Sequence, residues 1–599
     1  MIVIPKKETI SLENSPKGYL VLHTLRLVGL ATHGILFYLS IAILVAFTLP
    51  LIFPIVSYAQ EGSGKVLQQL ENKEIVPKEI PEKPVIENKE EKAKEIVDGK
   101  KIFIRQINVE GVTLINKQTI QAIISKYENK ELTLSEIEQI ANEITSAYNK
   151  EGFILARAYI PPQEIKNGVL EIKVIEGKIG EITVTGNKSY SSRFIENHLL
   201  MVKKDPSLNE GSLERALLIL NEYPDLNVKA VLKAGKEFGT TDIQAEVKDA
   251  RPVSGSLSYD NFGSGATSKN RLSVAFNIGN LLTSGDYLML NGITGLDSID
   301  FNKLSYGRIE YRIPIDSNGT KLGVYYANSI YQAGEQYAAL DLHGGANIAG
   351  IYVTHPVIRE RGKALDVSAG FDYKDVYDYV LGDINSKDNI RVFNISATYD
   401  FIDNLYGRNI INLTYHQGVR GLFGGSGEND AGTSRLNADG AFSKWTADIE
   451  RIQKLPGYNY LVLRALGQFS SEPLFAAEQF YLGGEGSVRG FEPASVSGDS
   501  GYFASAELYL SPPSPETIVF NQKLGDTVKF VLFADNGGVY RNNVQPGEST
   551  ANHLTSIGTG LRLYAGKHFS VMCDWAVPEI EGKFKTSQSK YYLQITSSF

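Results

Sequence analysis

From residue 251 onward the chain alternates. In 363–374, Leu365, Val367, Ala369, Phe371 and Tyr373 face one side, and Asp366, Ser368, Asp372 and Lys374 face the other. In 303–313, Gly307, Ile309, Tyr311 and Ile313 oppose Tyr306, Arg308, Glu310 and Arg312. In 441–453, Trp445, Ala447 and Ile449 oppose Lys444, Asp448 and Glu450. A period of two is that of a strand with one apolar face. The pattern predicts about sixteen strands, near 254–262, 270–279, 285–294, 303–313, 321–330, 346–355, 363–374, 390–401, 408–418, 441–453, 458–470, 500–510, 527–536, 556–565, 568–577 and 590–599. A charged strand face needs water or partners. A sandwich core and a membrane barrel satisfy that demand equally well.

Connection lengths separate the two. Leu281–Gly285, Asp316–Gly319, Leu455–Gly457 and Gly566-Lys567 are short. The alternate connections, Tyr331–Gly345, Asp375–Asn389, Val419–Gly440, Ser471–Ser500 and Gly537–Thr555, are long. Short turns on one side and long loops on the other are expected of a barrel in an outer membrane. The stretch Ser511–Asp526, with Pro512, Pro513 and Pro515, is long for the short side.

Before residue 251 the period changes to that of helices. Phe103–Val109 is a predicted strand, and Asn116–Lys126 and Ser135–Asn149 are predicted helices. Phe153–Ile160 and Val169–Ile175 complete a first unit. The order recurs in Ile179–Val184, Ser192–Leu200, Glu210–Glu222, Val228–Lys233 and Asp242–Val247. A period of about 75 residues, seen twice, marks two copies of one α+β module, at 102–177 and 178–250. Ile137, Ile140 and Ile144 lie on one stripe of the first long helix, and Leu213 and Leu217 on that of the second.

The N-terminus differs again. Lys6, Lys7, Lys17 and Arg26 precede an apolar run from Ile35 to Val56 that exits through Ser57-Tyr58-Ala59. Residues 1–59 read as a secretory signal peptide. Residues 60–101 are rich in Lys and Glu, with Pro77, Pro81 and Pro84, and read as an extended linker. At its start a short amphipathic helix over Lys65–Lys73 is a candidate plug.

Composition then narrows the functional classes. Among 599 residues there are 56 Gly and 32 Tyr but only 2 Trp, and the formal charge is −8. No basic stripe suggests a nucleic-acid partner. The single cysteine, Cys573, excludes a disulfide framework and Cys-based metal sites. No Gly-x-Ser-x-Gly elbow, P-loop or His-Glu-x-x-His occurs. His343, His355, His416, His553 and His568 are scattered. The expectation is a non-enzyme without cofactor or metal.

Two stretches carry a resemblance. Glu151–Asn187, "EGFILARAYIPPQEIKNGVLEIKVIEGKIGEITVTGN", resembles the junction between POTRA modules of two-partner secretion transporters, the TpsB or hemolysin secretion/activation family. Ala477–Pro493, "AEQFYLGGEGSVRGFEP", is similar to the loop-six signature of the superfamily containing those transporters and the barrel insertases. Its core is Val488-Arg489-Gly490-Phe491. The resemblance implies that the 471–499 loop folds into the lumen, where the Arg pairs with the Asp of a Phe-x-Asp-x-Gly motif. Here that motif is Phe533-Ala534-Asp535-Asn536-Gly537, and alternation points Asp535 and Glu507 inward. Losing one partner of such a pair costs about 3–5 kcal/mol if it is buried. If it is hydrated the pair is worth about 0–1 kcal/mol.

The last strand, with Tyr591, Leu593, Ile595 and Phe599 on one face, resembles the sorting signal read by the barrel-assembly machinery. The implied protein is a monomeric sixteen-stranded barrel over 251–599 in the outer membrane of a Gram-negative cell. Its POTRA modules hang in the periplasm, and its partners are outer-membrane lipid, the assembly machinery during biogenesis, and an unfolded exoprotein cargo. Cargo would meet Ile137, Ile140, Ile144, Leu213 and Leu217 and pass the barrel without nucleotide hydrolysis. The alternative is an insertase for other barrel proteins.

Overall fold

A computed structural model describes residues 62–71, 85–88, 101–203, 209–298, 303–428, 430–519, 521–545 and 548–599. The expected signal peptide and most of the linker lie outside the described residues.

The first module packs two helices on a small sheet. Helix Lys117–Ile124 starts at Asn116, whose side chain accepts from the Gln118 N–H. Helix Leu134–Lys150 starts with a capping box, in which Thr133 accepts from the Glu136 N–H and Glu136 accepts from the Thr133 N–H. Ile137, Ile140, Ile144 and Tyr148 of that helix meet Ile107, Leu170 and Ile172 in one core. The second module repeats the plan with helices Ser192–Lys203 and Glu210–Asn221 against strands Lys178–Thr185, Leu226–Ala234 and Thr240–Asp249.

Two expected strands are shorter than their pattern. Phe103–Val109 is broken at Arg105: Ile102–Ile104 pairs with Lys130–Leu132, and Gln106–Glu110 runs parallel to Val169–Lys173. Of Phe153–Ile160 only Arg157–Tyr159 is a strand. The preceding residues wrap the helix end, with the Phe153 N–H donating to the Tyr148 carbonyl. In both places hydrogen bonding to a neighbouring element overrides a locally extended pattern.

Among the described residues sixteen antiparallel strands close a barrel, from Val253–Asp260 to Lys590–Ser598. The last strand pairs with the first over Ser256–Asp260. Phe599 and Gly255 then exchange both backbone bonds, at 2.9 and 3.1 Å. The alternation sorts as expected: Ile309, Trp445 and Ile449 are exposed on the outer face, whereas Tyr306, Glu310, Lys444 and Glu450 are buried inside.

One expected loop is absent. Asp375–Asn389 is not a loop, because Lys363–Val380 and Asp383–Ile402 continue as strands to a two-residue turn. Leu381 and Gly382 both have positive φ, 54° and 86°, as a type I′ hairpin needs. These strands have 18 and 20 residues, where about 9–11 suffice to cross a bilayer. Their outer halves stand in water, so the apolar face that marks a membrane strand has no reason to persist, and the segment reads as a loop.

The second module docks on the short turns. Phe194 and Tyr223 sit over Gly285, where a Cβ would come within 2.6 Å of the Phe194 ring. The Ser191 N–H donates to Ser284 Oγ at 3.0 Å. Arg215 donates to the Pro356 carbonyl at 2.5 Å, and Arg359 joins Glu222 to Asp366.

Candidate functional site: the loop-six lock and the lumenal helix

The 471–499 loop turns into the barrel. Leu474 and Phe475 are fully buried with Ile390, Val392 and Phe442. A short hairpin of Phe480–Leu482 and Val496–Gly498 follows, and Phe480, Leu482 and Val488 pack on Phe503, Val539 and Leu554 of the wall. Gly483 holds φ at 112°, and a Cβ there would lie 2.2 Å from the Glu492 carbonyl oxygen. No other residue type fits that turn. Gly537, last of the wall motif, serves by absence: a Cβ would stand 2.7 Å from Leu482 Cδ1.

At the tip, Arg489 is 3 % exposed. Its Nε and Nη2 donate to Asp535 Oδ2 and Oδ1 at 2.8 and 2.9 Å, the forked pairing for which guanidinium is shaped. Its backbone N–H donates to Asp535 Oδ2 at 3.2 Å. Nη2 also lies 2.6 Å from Glu507 Oε1, and Nη1 donates to Asp574 Oδ2 at 3.0 Å. The guanidinium carbon sits 3.5 Å from the centroid of the Phe533 ring, a contact worth about 2 kcal/mol when desolvated. The structure brings together Arg489, Phe533, Asp535 and Glu507. Phe491 and Val488 pack in the apolar cluster beside them. The Gly490 N–H donates to the Tyr592 hydroxyl at 2.9 Å, which ties the tip to the closing strand.

Sequence reasoning missed Asp574, Arg562, Ser505 and Tyr592. Asp574 also accepts from Arg562 Nη2 at 3.0 Å, and Ser505 Oγ donates to Asp535 Oδ1 at 2.7 Å. The alternation of Cys573, Asp574 and Trp575 marks Asp574 as inward. Its height beside Arg489 depends on the stagger between strands, which no single strand encodes.

The Ser63–Glu71 helix lies within the barrel. Val66, Leu67 and Leu70 are buried against Leu304, Tyr306, Tyr331, Ala346 and Val376. Asp378 Oδ1 accepts from the Ser63 N–H at 2.8 Å, Ser63 Oγ at 2.7 Å and the Tyr331 hydroxyl at 2.8 Å. A carboxylate at that end also suits the positive pole of the helix.

The apolar residues expected to meet cargo are elsewhere. Ile137, Ile140, Ile144, Leu213 and Leu217 are each at most 1 % exposed and form the module cores. Amphipathic period marks a buried stripe, and here the module's own sheet covers it, so these five side chains are not available to a partner. On the closing strand Tyr591 and Phe599 are exposed outward, while Leu593 is buried.

A sixteen-stranded barrel, preceded by two α+β modules and holding its 471–499 loop in the lumen through Arg489, defines an outer-membrane pore of the POTRA-plus-barrel type. The haemolysin secretion/activation protein ShlB/FhaC/HecB family matches residues 239–563, and the ShlB-type POTRA domain matches 102–177. The chain belongs to that family. It is 27 % identical over 488 residues, 80 % of this chain and 83 % of the relative, to the heme/hemopexin transporter protein HuxB of Haemophilus influenzae. It is 23 % identical over 444 residues, 73 % and 77 % of the two chains, to the hemolysin transporter protein ShlB of Serratia marcescens. The fold is similar to that of CdiB from Escherichia coli, with a TM-score of 0.67, 19 % identity and coverage of 85 % and 93 % of the two chains. The protein is a two-partner secretion transporter of the outer membrane that acts with a secreted exoprotein.

Proposed function

We propose that the modules capture one unfolded exoprotein of the hemolysin or adhesin type in the periplasm by strand addition, and that the barrel passes it outward without nucleotide hydrolysis or any catalytic step. The observation that carries this reading is a strand the chain supplies to itself. Linker residues Ile86–Asn88 pair in parallel with Ala230–Leu232, at the edge of the second module's sheet. That edge accepts an extended backbone, the geometry in which an unfolded chain is bound through main-chain hydrogen bonds. The matching strand of the first module, Arg157–Tyr159, lies at the edge of its sheet with Val169–Ile175 on its other side.

In this reading Arg489, Asp535 and Glu507 gate the pore by holding loop six inside, and the Ser63–Glu71 helix is the plug. The protein works as a monomer in the lipid bilayer, after insertion by the assembly machinery that reads Tyr591, Leu593, Ile595 and Phe599. Comparing surface and secreted proteins of wild-type and deletion strains tests the proposal. Loss of one exported protein is expected. A general loss of outer-membrane barrels would support insertion instead and overturn it.

A further inference from the structure

Loop six is held at a second point that lies outside the Val488–Phe491 motif. At its entrance the turn Ala476–Glu478 carries a carboxylate that is 2 % exposed. Glu478 Oε1 accepts from Lys374 Nζ at 2.8 Å, and Oε2 lies 2.7 Å from Lys444 Nζ. Lys444 Nζ also donates to the Glu478 carbonyl at 2.9 Å, and Gln468 Nε2 donates to the same carbonyl at 2.9 Å and to the Asp499 carbonyl at 3.0 Å. Both ends of loop six are therefore fastened by one patch of wall.

The Ser63–Glu71 helix rests on this turn. A Cβ on Gly64 would fall 2.7 Å from both the Ala476 carbonyl carbon and the Ala477 nitrogen, so the two backbones touch. Val66 and Leu67 are buried alongside, and Ala477 packs against the same apolar cluster. The helix thus rests directly on the turn that carries Glu478. A covered ion pair loses strength when its cover goes, because water then solvates both charges.

We propose that Glu478 is a positioning residue for the gating loop: it anchors the entrance of loop six to Lys374 and Lys444, and the Ser63–Glu71 helix and this anchor stabilise each other. Departure of the helix hydrates the anchor and loosens the entrance of loop six, while the Arg489 tip and the apolar contacts of Leu474, Phe475, Leu482 and Val488 still hold the rest. Thermodynamic reciprocity requires the converse, that weakening the anchor loosens the helix. The inference rests on the gating role given above to loop six.

The test uses the full chain with C573S and one reporter cysteine, at Gln68 in the helix or at Ala477 in the turn. The rate of labelling by a water-soluble maleimide is the readout. E478Q removes the charge and keeps the shape. It is expected to raise labelling at position 68 at least tenfold, with E478D restoring much of the protection. G64A pushes on the turn without touching any charge, and is expected to raise labelling at position 477 by a similar factor. Deleting 63–71 is expected to do the same. Unchanged labelling at 68 in a folded E478Q barrel would overturn the proposal, and so would unchanged labelling at 477 in G64A. Heat-modifiable migration in gels reports folding, and if E478Q does not assemble the G64A result alone decides. None of these readouts needs cargo. Unimpaired export in a strain lacking loop-six contacts would reverse the gating reading while leaving the coupling measurable.

Discussion

Replacing Arg489 by Ala removes one cation from a closed ionic cluster. The cluster holds Arg489 and Arg562 against Asp535, Glu507 and Asp574, two positive charges facing three negative. After substitution one cation faces three anions. Asp574 keeps Arg562, whereas Asp535 and Glu507 lose their cation. The side chains of Arg489, Asp535 and Asp574 are 4 %, 0 % and 0 % exposed, which selects the buried case over the hydrated one. Breaking a buried pair from one side costs about 3–5 kcal/mol. At about 1.4 kcal/mol per decade, the population of released loop should rise by roughly two to three and a half decades. R489K, which keeps the charge but not the fork, should fall between. D535N should cost less, because Arg489 retains Glu507 and Asp574. Amide hydrogen exchange over residues 484–492 in the detergent-solubilised protein measures the released population, and an export assay measures its consequence: lower secretion with normal barrel assembly. Unchanged exchange in R489A would refute the reasoning. The burial of Leu482 and Val488, and not the ions, would then hold the loop.

Three further outcomes are expected. Deleting 63–71 should raise single-channel conductance in planar bilayers, since the helix occupies the lumen between Tyr306, Tyr331 and Val376; an unchanged conductance would show that loop six alone closes the pore. Glu176 accepts from the Thr113 and Leu114 N–H groups and the Tyr148 hydroxyl at 2.6, 2.7 and 2.8 Å. Burial would raise its pKa, but the bond from the Thr113 hydroxyl, together with these three, outweighs it and holds the carboxyl below the usual range. Its contribution is present above the ordinary carboxylate pKa and is lost as pH falls through the depressed one. E176Q should lower the first module's stability by about 1 kcal/mol at pH 7 and less in acid, read by urea titration. His198 faces the Phe194 carbonyl at 2.8 Å beneath Tyr223, in the contact with the short turns that carry Asp316 and Lys321. Burial is the main cause that holds its pKa below the usual histidine value of about 6.5. The undocked state then binds more protons below that pH, so docking of the second module should weaken as pH falls below about 6.5 and level off under the depressed pKa. Exchange protection of residues 281–286 measures it, and H198F should flatten the profile.

The sequence by itself determined what rests on period and local chemistry. Alternation across Lys363–Lys374 or Ser443–Lys454 gave the strand and its apolar face, and the alternation of short and long connections assigned that face to lipid, where a charged row cannot sit. The capping box at Thr133 and Glu136 set a helix start within a few residues. The motifs around Arg489 and Asp535 gave both partners of the lock. Tertiary structure decided the rest. Whether Ile140 or Leu217 meets cargo or core depends on what covers the stripe, and the modules' own sheets cover it. The Asp375–Asn389 segment becomes a hairpin because neighbouring strands continue its ladder above the membrane. Asp574 joins Arg489, and Glu478 joins Lys374 and Lys444, through residues 85 and up to 104 positions apart. Such meetings depend on the stagger of a closed barrel and on the path of a loop through its lumen. No local pattern records either, because both are fixed only when the last strand pairs with the first.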